Sequence, residues 1–285
     1  MEGKTVSFKY ILYEKKGPVA WVSFNRPEKM NAFNIELSME FREVMESIRR
    51  DDDILIVVFK GVGKHFSAGD DITEFNSIPG RDNDERARFL LKQVSIYQDT
   101  ANQIEEMDKI TISIVRGACI GGGLEVTMVS DLVVASENSV FGIPEIDIDI
   151  TPGWGGTQRL SRYVGRRRVK EMVLLGTLIS AQEALRCGLV NRVVPDDKLE
   201  ETVEEMIDIL LSKRPLALKL MKFITTKGIE ADLHTAEAFE ALSTTLCFGT
   251  VDRLEGCDAF AEKRDPWKTR RKKVQEWEQK MGPIA

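Results

Sequence analysis

Apolar residues in this chain form short unbroken runs and helically spaced stripes that alternate over the first two thirds; beyond that, only stripes remain. The runs at 54–60, 110–115 and 132–135 lack polar alternation and are rich in β-branched residues, which predicts strands buried on both faces. Segments 10–13 and 19–24, joined around Gly17-Pro18, predict a hairpin, and 189–194 a further strand. Helical spacing predicts helices over 38–50, 84–107, 124–129, 158–164, 169–175 and 181–186, the last capped by Ser180. After Asp196 the pattern is helical only, over 199–212, 216–226, 230–248 and 253–263. The expectation is therefore an α/β core over 1–195 followed by a helical region over 196–285.

Composition narrows the class. With 285 residues, 42% hydrophobic and 30% charged, the chain reads as a soluble globular protein. A net charge of −6 argues against general nucleic-acid affinity, so an anionic ligand needs a local basic patch. With only His65 and His234, a histidine-rich metal site is a poor fit. Cys119, Cys187, Cys247 and Cys257 have no C-x-x-C spacing and lie in apolar contexts, as reduced thiols of a cytoplasmic protein would. No apolar run approaches the ~20 residues of a membrane span, and the opening residues lack a signal-peptide pattern, so cytoplasmic location is the expectation. Gly61 to Lys64 is not a phosphate loop, because Val58 and His65 occupy positions that need Gly and Ser or Thr.

The chemistry concentrates between residues 110 and 149. Gly121, Gly122 and Gly123 separate a buried strand from an apolar helix, so backbone N–H groups can approach an oxygen that becomes negative during a reaction. Glu125 sits in the first turn of that helix among Leu124, Val126 and Met128. Two readings stand for it: a carboxylate complementing the helix dipole, or one with a proton to move. Glu145 follows twenty residues later beside Pro144, and two poorly hydrated carboxylates suit a division into acid and base.

Five blocks carry a resemblance. GACIGGGLEVTMVSDLVVAS (117–136), FGIPEIDIDITPGWGGTQRL (141–160) and LISAQEALRCGLVNRVV (178–194) resemble the core of the enoyl-CoA hydratase/isomerase (crotonase) family. FNRPEKMNAF (24–33) and FSAGDDI (66–72) do so too, in family order, with a weaker echo at 255–264. The resemblance implies a crotonase-type spiral of β-β-α repeats with a C-terminal helical trimerisation region. It implies hydration of an α,β-unsaturated acyl-CoA thioester, or the reverse dehydration, with Glu125 and Glu145 catalytic. Which is acid stays open; the provisional assignment makes Glu125 the base.

The same resemblance places the backbone N–H groups of Asp70 and Gly122 in an oxyanion hole. Asp70 replaces a residue that is usually small, and its carboxylate is expected to turn away from the developing enolate. Lys29, Ala68, Asp71, Ile72, Phe260 and Lys263 are implied substrate or CoA contacts; Thr73 stands where some relatives carry a lysine. Trp154, at a commonly small position, is expected to border the acyl pocket, either narrowing it, stacking on a flat acyl group, or simply packing. Asp147 and Asp149 are further departures. No cofactor is implied, since coenzyme A is part of the substrate. The expected partners are an acyl-CoA and copies of the chain in a homotrimer or dimer of trimers, with no nucleic acid and no membrane. The basic tail after Arg264 is expected to pack on a neighbouring subunit or to fray. Three rival readings remain: a Δ3–Δ2 enoyl-CoA isomerase, a hydratase or hydrolase of a cyclic enoyl-CoA, and a non-catalytic CoA- or RNA-binding relative.

Overall fold

The computed structural model describes residues 8–264, and the expectation for the tail falls beyond them. In chain order the strands are β1 (Ile11–Lys16), β2 (Val19–Phe24), β3 (Ile56–Gly61), β4 (Ile110–Val115), β5 (Ala118–Ile120), β6 (Leu132–Ser136), β7 (Val140–Gly142), β8 (Ile179–Ser180) and β9 (Arg192–Val194). The helices of the first part are α1 (Ile35–Arg50), α2 (Asn83–Glu106), α3 (Gly122–Met128), α4 (Gly156–Val164), α5 (Arg166–Leu175), α6 (Ala181–Arg186) and α7 (Leu199–Leu211). The described residues divide into two compact units between Ile207 and Asp208, inside α7.

In the first unit a six-stranded sheet has the order β1-β2-β3-β4-β6-β9. β1 pairs antiparallel with β2 as the expected hairpin, and every other pairing is parallel. All six residues of β4 are buried, as an uninterrupted β-branched run predicts for a central parallel strand. Between this sheet and α1, Phe24 meets Phe33, Phe41 and Phe66 edge-to-face, with ring centroids 4.9 to 5.5 Å apart.

A second sheet, β5-β7-β8, was not expected. Its strands hold two or three residues each, too few for any periodicity to register. β5 and β7 run parallel with Ile120 opposite Gly142, and Gly121 N–H donates to the Gly142 carbonyl at 2.9 Å. On the other flank of β5, Ser67 forms a parallel bridge to Cys119, and Ile120 N–H donates to the Ser67 carbonyl at 3.0 Å. Three parallel segments thus end side by side. The chain leaving them carries Asp70, the Gly121–Gly123 turn and Glu145.

After β9 every described element is helical. The second unit contains α8 (Pro215–Lys227), α9 (Leu233–Phe248) and α10 (Val251–Ala261). Ile229, Leu233, Leu242, Leu246 and Phe248 are exposed there, more apolar surface than scattered single residues provide.

Candidate active site

Two loops make the floor of the site. The first is locked from residue 31. Asn31 is fully buried with φ 55°, a left-handed conformation that Asn tolerates better than most residues. Its Nδ2 donates to the carbonyls of Val62 (3.0 Å) and His65 (2.7 Å), and its Oδ1 accepts from Arg26 N–H at 2.9 Å. Ser67 Oγ donates to the Asn31 carbonyl at 2.9 Å and accepts from Gly69 N–H at 3.1 Å. Asp71 N–H then donates to the Phe33 carbonyl at 2.8 Å. Asp70 is held between these fixed points, and among the described residues no carbonyl takes its N–H.

The second loop turns at Gly121, whose φ of 52° suits glycine. A side chain there would also place its Cβ 2.8 Å from Glu145 Oε1, so the close approach of that carboxyl needs a bare backbone. Gly122 opens α3, and its N–H is likewise taken by no described carbonyl. The loops touch: a Cβ on Gly69 would lie 3.3 Å from Gly122 N. Two free N–H groups on abutting rigid loops form a donor pair of the kind that stabilises an oxyanion.

Glu125 points from α3 into the interior and is 2% exposed. Its Oε1 accepts from Trp154 N–H at 2.9 Å and from Gly156 N–H at 2.6 Å, so one oxygen is clamped by the turn entering α4. Burial pushes its carboxyl up to about 8; the charges of Asp70 and Glu145 add to this, while the two N–H donors oppose it. Glu145 begins a short 3-10 turn after β7, and its Oε2 is buried without a hydrogen-bond partner. Burial raises Glu145 to about 7, assisted by the charge of Asp70. These interactions bind the three carboxyls into one electrostatic group.

Asp70 does not turn away as expected. Its Oδ1 lies 3.4 Å from where a Gly122 Cβ would stand, and the residue lines the adjoining cavity. Protein surrounds its carboxyl apart from that cavity, and burial lifts it to about 6, with the Trp154 indole pulling the other way. Asp70 therefore keeps its charge above about pH 6, beside the Gly122 loop.

The cavity holds about 500 Å³ and is mostly apolar, walled by Phe33, Phe75, Ile78, Phe89, Leu90 and Trp154. Trp154 borders this cavity, though only 1% exposed. Its ring stacks on Tyr97 of α2 at 4.7 Å and 11°, and tilts against Phe33 at 5.4 Å. Asp149, in a left-handed conformation with φ 56°, stands on the rim of the same cavity. Asp147 is elsewhere, packed against Gly176 at the end of α5.

The remaining expected contacts are dispersed. Asp71 lines the cavity, but its carboxylate is engaged: Arg26 Nη2 donates to it at 2.9 Å in a buried ion pair, and Thr73 Oγ1 at 2.6 Å. Ala68 N–H donates to the Met30 carbonyl at 3.0 Å, and Ile72 is exposed. Lys29 is exposed in a 3-10 turn spanning Pro27–Lys29. Phe260, 88% exposed, and Lys263, with φ 52°, belong to the second unit. Sequence reasoning missed Arg26, Asn31, Ser67 and Gly156. All four acquire their roles mainly through contacts distant in sequence.

The family described as enoyl-CoA hydratase/isomerase matches residues 14–270. The short-chain-enoyl-CoA hydratase of Clostridium acetobutylicum is 40% identical over 258 residues, covering 89% of this chain and 95% of that protein. The crotonyl-CoA hydratase of Syntrophomonas wolfei is 36% identical, covering 91% and 97%. The crystal structure of the enoyl-CoA hydratase of Bacillus anthracis superimposes with a TM-score of 0.83 at 34% identity, covering 90% of this chain and 98% of that one. By this match over most of its length, and by its fold, the chain belongs to the enoyl-CoA hydratase/isomerase family.

Proposed function

We propose that the protein adds water across the C2=C3 bond of an α,β-unsaturated acyl-CoA thioester, and catalyses the reverse dehydration. The thioester oxygen accepts from the Asp70 and Gly122 N–H groups, which draws electron density from C3; preorganised donors of this kind contribute ~3–4 kcal/mol each. A water held between Glu125 and Glu145 attacks C3 and gives its proton to one carboxylate, while C2 takes a proton from the other carboxyl. One H and one OH are added, and the pair keeps a single proton throughout. No cofactor takes part, because coenzyme A arrives with the substrate.

The observation that carries this reading is the meeting of two proton-avid carboxyls with two unengaged backbone N–H groups at one glycine turn. Hydrogen bonding supports Glu125 as the base in hydration: its Oε1 already receives two N–H donors, which favours the ionised form. Glu145 Oε2, buried and unpartnered, favours the neutral form and suits the acid. Proton affinities in the free protein run the other way, about 8 against about 7. At Glu125 burial outweighs the two N–H donors, which also hold Oε1 in place.

The same reading includes a homotrimer or dimer of trimers in the cytoplasm. Exposed apolar side chains of the second unit support self-association, and four free cysteines suit a reducing compartment. The deciding experiment follows crotonyl-CoA and larger straight, branched and cyclic enoyl-CoA esters through the absorbance of the conjugated thioester. Loss of absorbance with formation of the 3-hydroxyacyl product is expected. Silence with every ester, while the esters still bind, would sink the hydration reading.

A further inference from the structure

The turn that clamps Glu125 is itself clamped from a neighbouring helix. The Trp154 and Gly156 N–H groups that donate to Glu125 Oε1 belong to the segment 153–156, where three of four residues are glycine. Gly155 stands at φ 100°, and such a backbone specifies little of its own geometry. Two side chains fix it. Gln98 Nε2, from α2, donates to the Gly153 carbonyl at 3.0 Å. Arg159, in the first turn of α4, folds back so that its Nη1 donates to the Trp154 carbonyl at 3.1 Å.

The guanidinium is in turn held by α2. Nη2 donates to Asn102 Oδ1 at 2.7 Å and to Glu105 Oε2 at 2.8 Å, and Nε donates to the same Glu105 oxygen at 3.2 Å. Gln98, Asn102 and Glu105 recur at i, i+4 and i+7, so they share one face of that helix. They lie past Phe89 to Tyr97, the stretch of α2 that lines the cavity. Only a planar fork can serve the carbonyl from one edge and the two α2 acceptors from the other, which a single ammonium cannot. The charges that act most on Glu125 are those of Asp70 and Glu145, so Arg159 reaches it through the backbone of the turn.

We propose that Arg159, anchored by Asn102 and Glu105, is a positioning residue for the reaction: by holding the Trp154 carbonyl it sets the turn whose N–H groups aim Glu125. The inference rests on the hydration reading, in which Glu125 moves a proton.

The test is a cycle of four proteins assayed with crotonyl-CoA: wild type, Arg159→Met, Glu125→Gln and the double variant. Arg159→Met keeps the length of the side chain and removes every donor. It is expected to lower kcat about 10- to 100-fold with KM changed about threefold or less, as a misaimed reacting group would. In the Glu125→Gln background no carboxylate is left to aim, and the same substitution is expected to lower kcat about twofold or less. Arg159→Lys keeps the charge without the fork and is expected to behave like Arg159→Met. Weakened N–H donation raises the proton affinity of Glu125, so the kcat/KM profile of Arg159→Met is expected to move toward alkali. General loosening that lets water reach Glu125 would move it toward acid instead.

Equal losses in both backgrounds overturn the proposal, as does a profile that moves toward acid or wild-type turnover in Arg159→Lys. If Arg159→Met does not fold, Glu105→Gln replaces it in the cycle under the same criteria, with an expected loss of about three- to tenfold. Calorimetric binding of the esters is read on each preparation. A wild type that binds esters and turns over none removes the hydration reading and this inference together. A wild type that turns over, a Glu125→Gln that does not, and equal Arg159→Met losses in both backgrounds remove the positioning alone.

Discussion

Gly156 donates its backbone N–H to Glu125 Oε1 at 2.6 Å, and a Cβ on Gly156 would stand 2.6 Å from that same oxygen. The glycine therefore holds the carboxylate and also leaves room for it. Gly156→Ala forces Glu125 to move by a large fraction of an ångström. Turnover is expected to fall by about 100-fold, as small misplacements of a reacting group commonly do, with much less change in CoA-ester binding. Steady-state kinetics beside calorimetry check this; unchanged turnover would mean that the clamp on Oε1 is irrelevant to the chemistry.

Glu125→Gln and Glu145→Gln are each expected to lower turnover at least ~100-fold, the usual scale of general acid–base contributions, while leaving ester binding nearly intact. Near-normal turnover in either variant would rule out the two-carboxyl mechanism.

Asp70 reaches the reaction through its charge. Above about pH 6 it is ionised and raises the proton affinity of both Glu125 and Glu145. Asp70→Asn removes that charge and keeps the backbone N–H. The pH profile of kcat/KM is expected to move toward acid, because both glutamates then lose their protons at lower pH. A profile in the wild-type position would show that Asp70 is electrostatically silent.

The raised glutamates also have a signature in stability. Their folded affinities, about 8 and about 7, exceed the ordinary 4.5 of the unfolded chain. Their stabilising contribution is present in full below about pH 4.5 and is lost as pH rises through 7 and then 8. Between pH 6 and 9 the melting temperature should therefore fall, and Glu125→Gln should fall less over that interval. Calorimetric scans of both proteins decide it; parallel decline would contradict the assignment.

Arg26 and Asp71 form a buried pair that ties the 26–33 loop to the Asp70 segment. Arg26→Leu strands a buried carboxylate and is expected to destabilise by about 3 kcal/mol or more in chemical denaturation. A loss below about 1 kcal/mol would place the pair among weak surface contacts.

The main sheet was legible because its strands are long enough to show unbroken apolar runs, and the long helices because their stripes repeat several times. β4 and α6 fall on the expected residues. The second sheet was not legible, since three residues such as Ala118–Ile120 show no period, and neighbouring backbones rather than side chains decide their pairing. Within the site, Glu125 stood out as an acid among apolar neighbours and the glycines as a run. The direction of the Asp70 side chain was hidden, because the groups around it, Gly122 and Trp154, are distant in sequence.

Trp154 serves two masters. Its backbone N–H steadies Glu125, and its ring, stacked on Tyr97, borders the apolar cavity. Changes of diet that act through this residue therefore also disturb the proton machinery. Phe89 and Leu90, on the α2 side of the same cavity, have no such tie. Lineages of this protein that acquire new substrates should accordingly diversify along α2 first, and keep the tryptophan long after their acyl groups have changed.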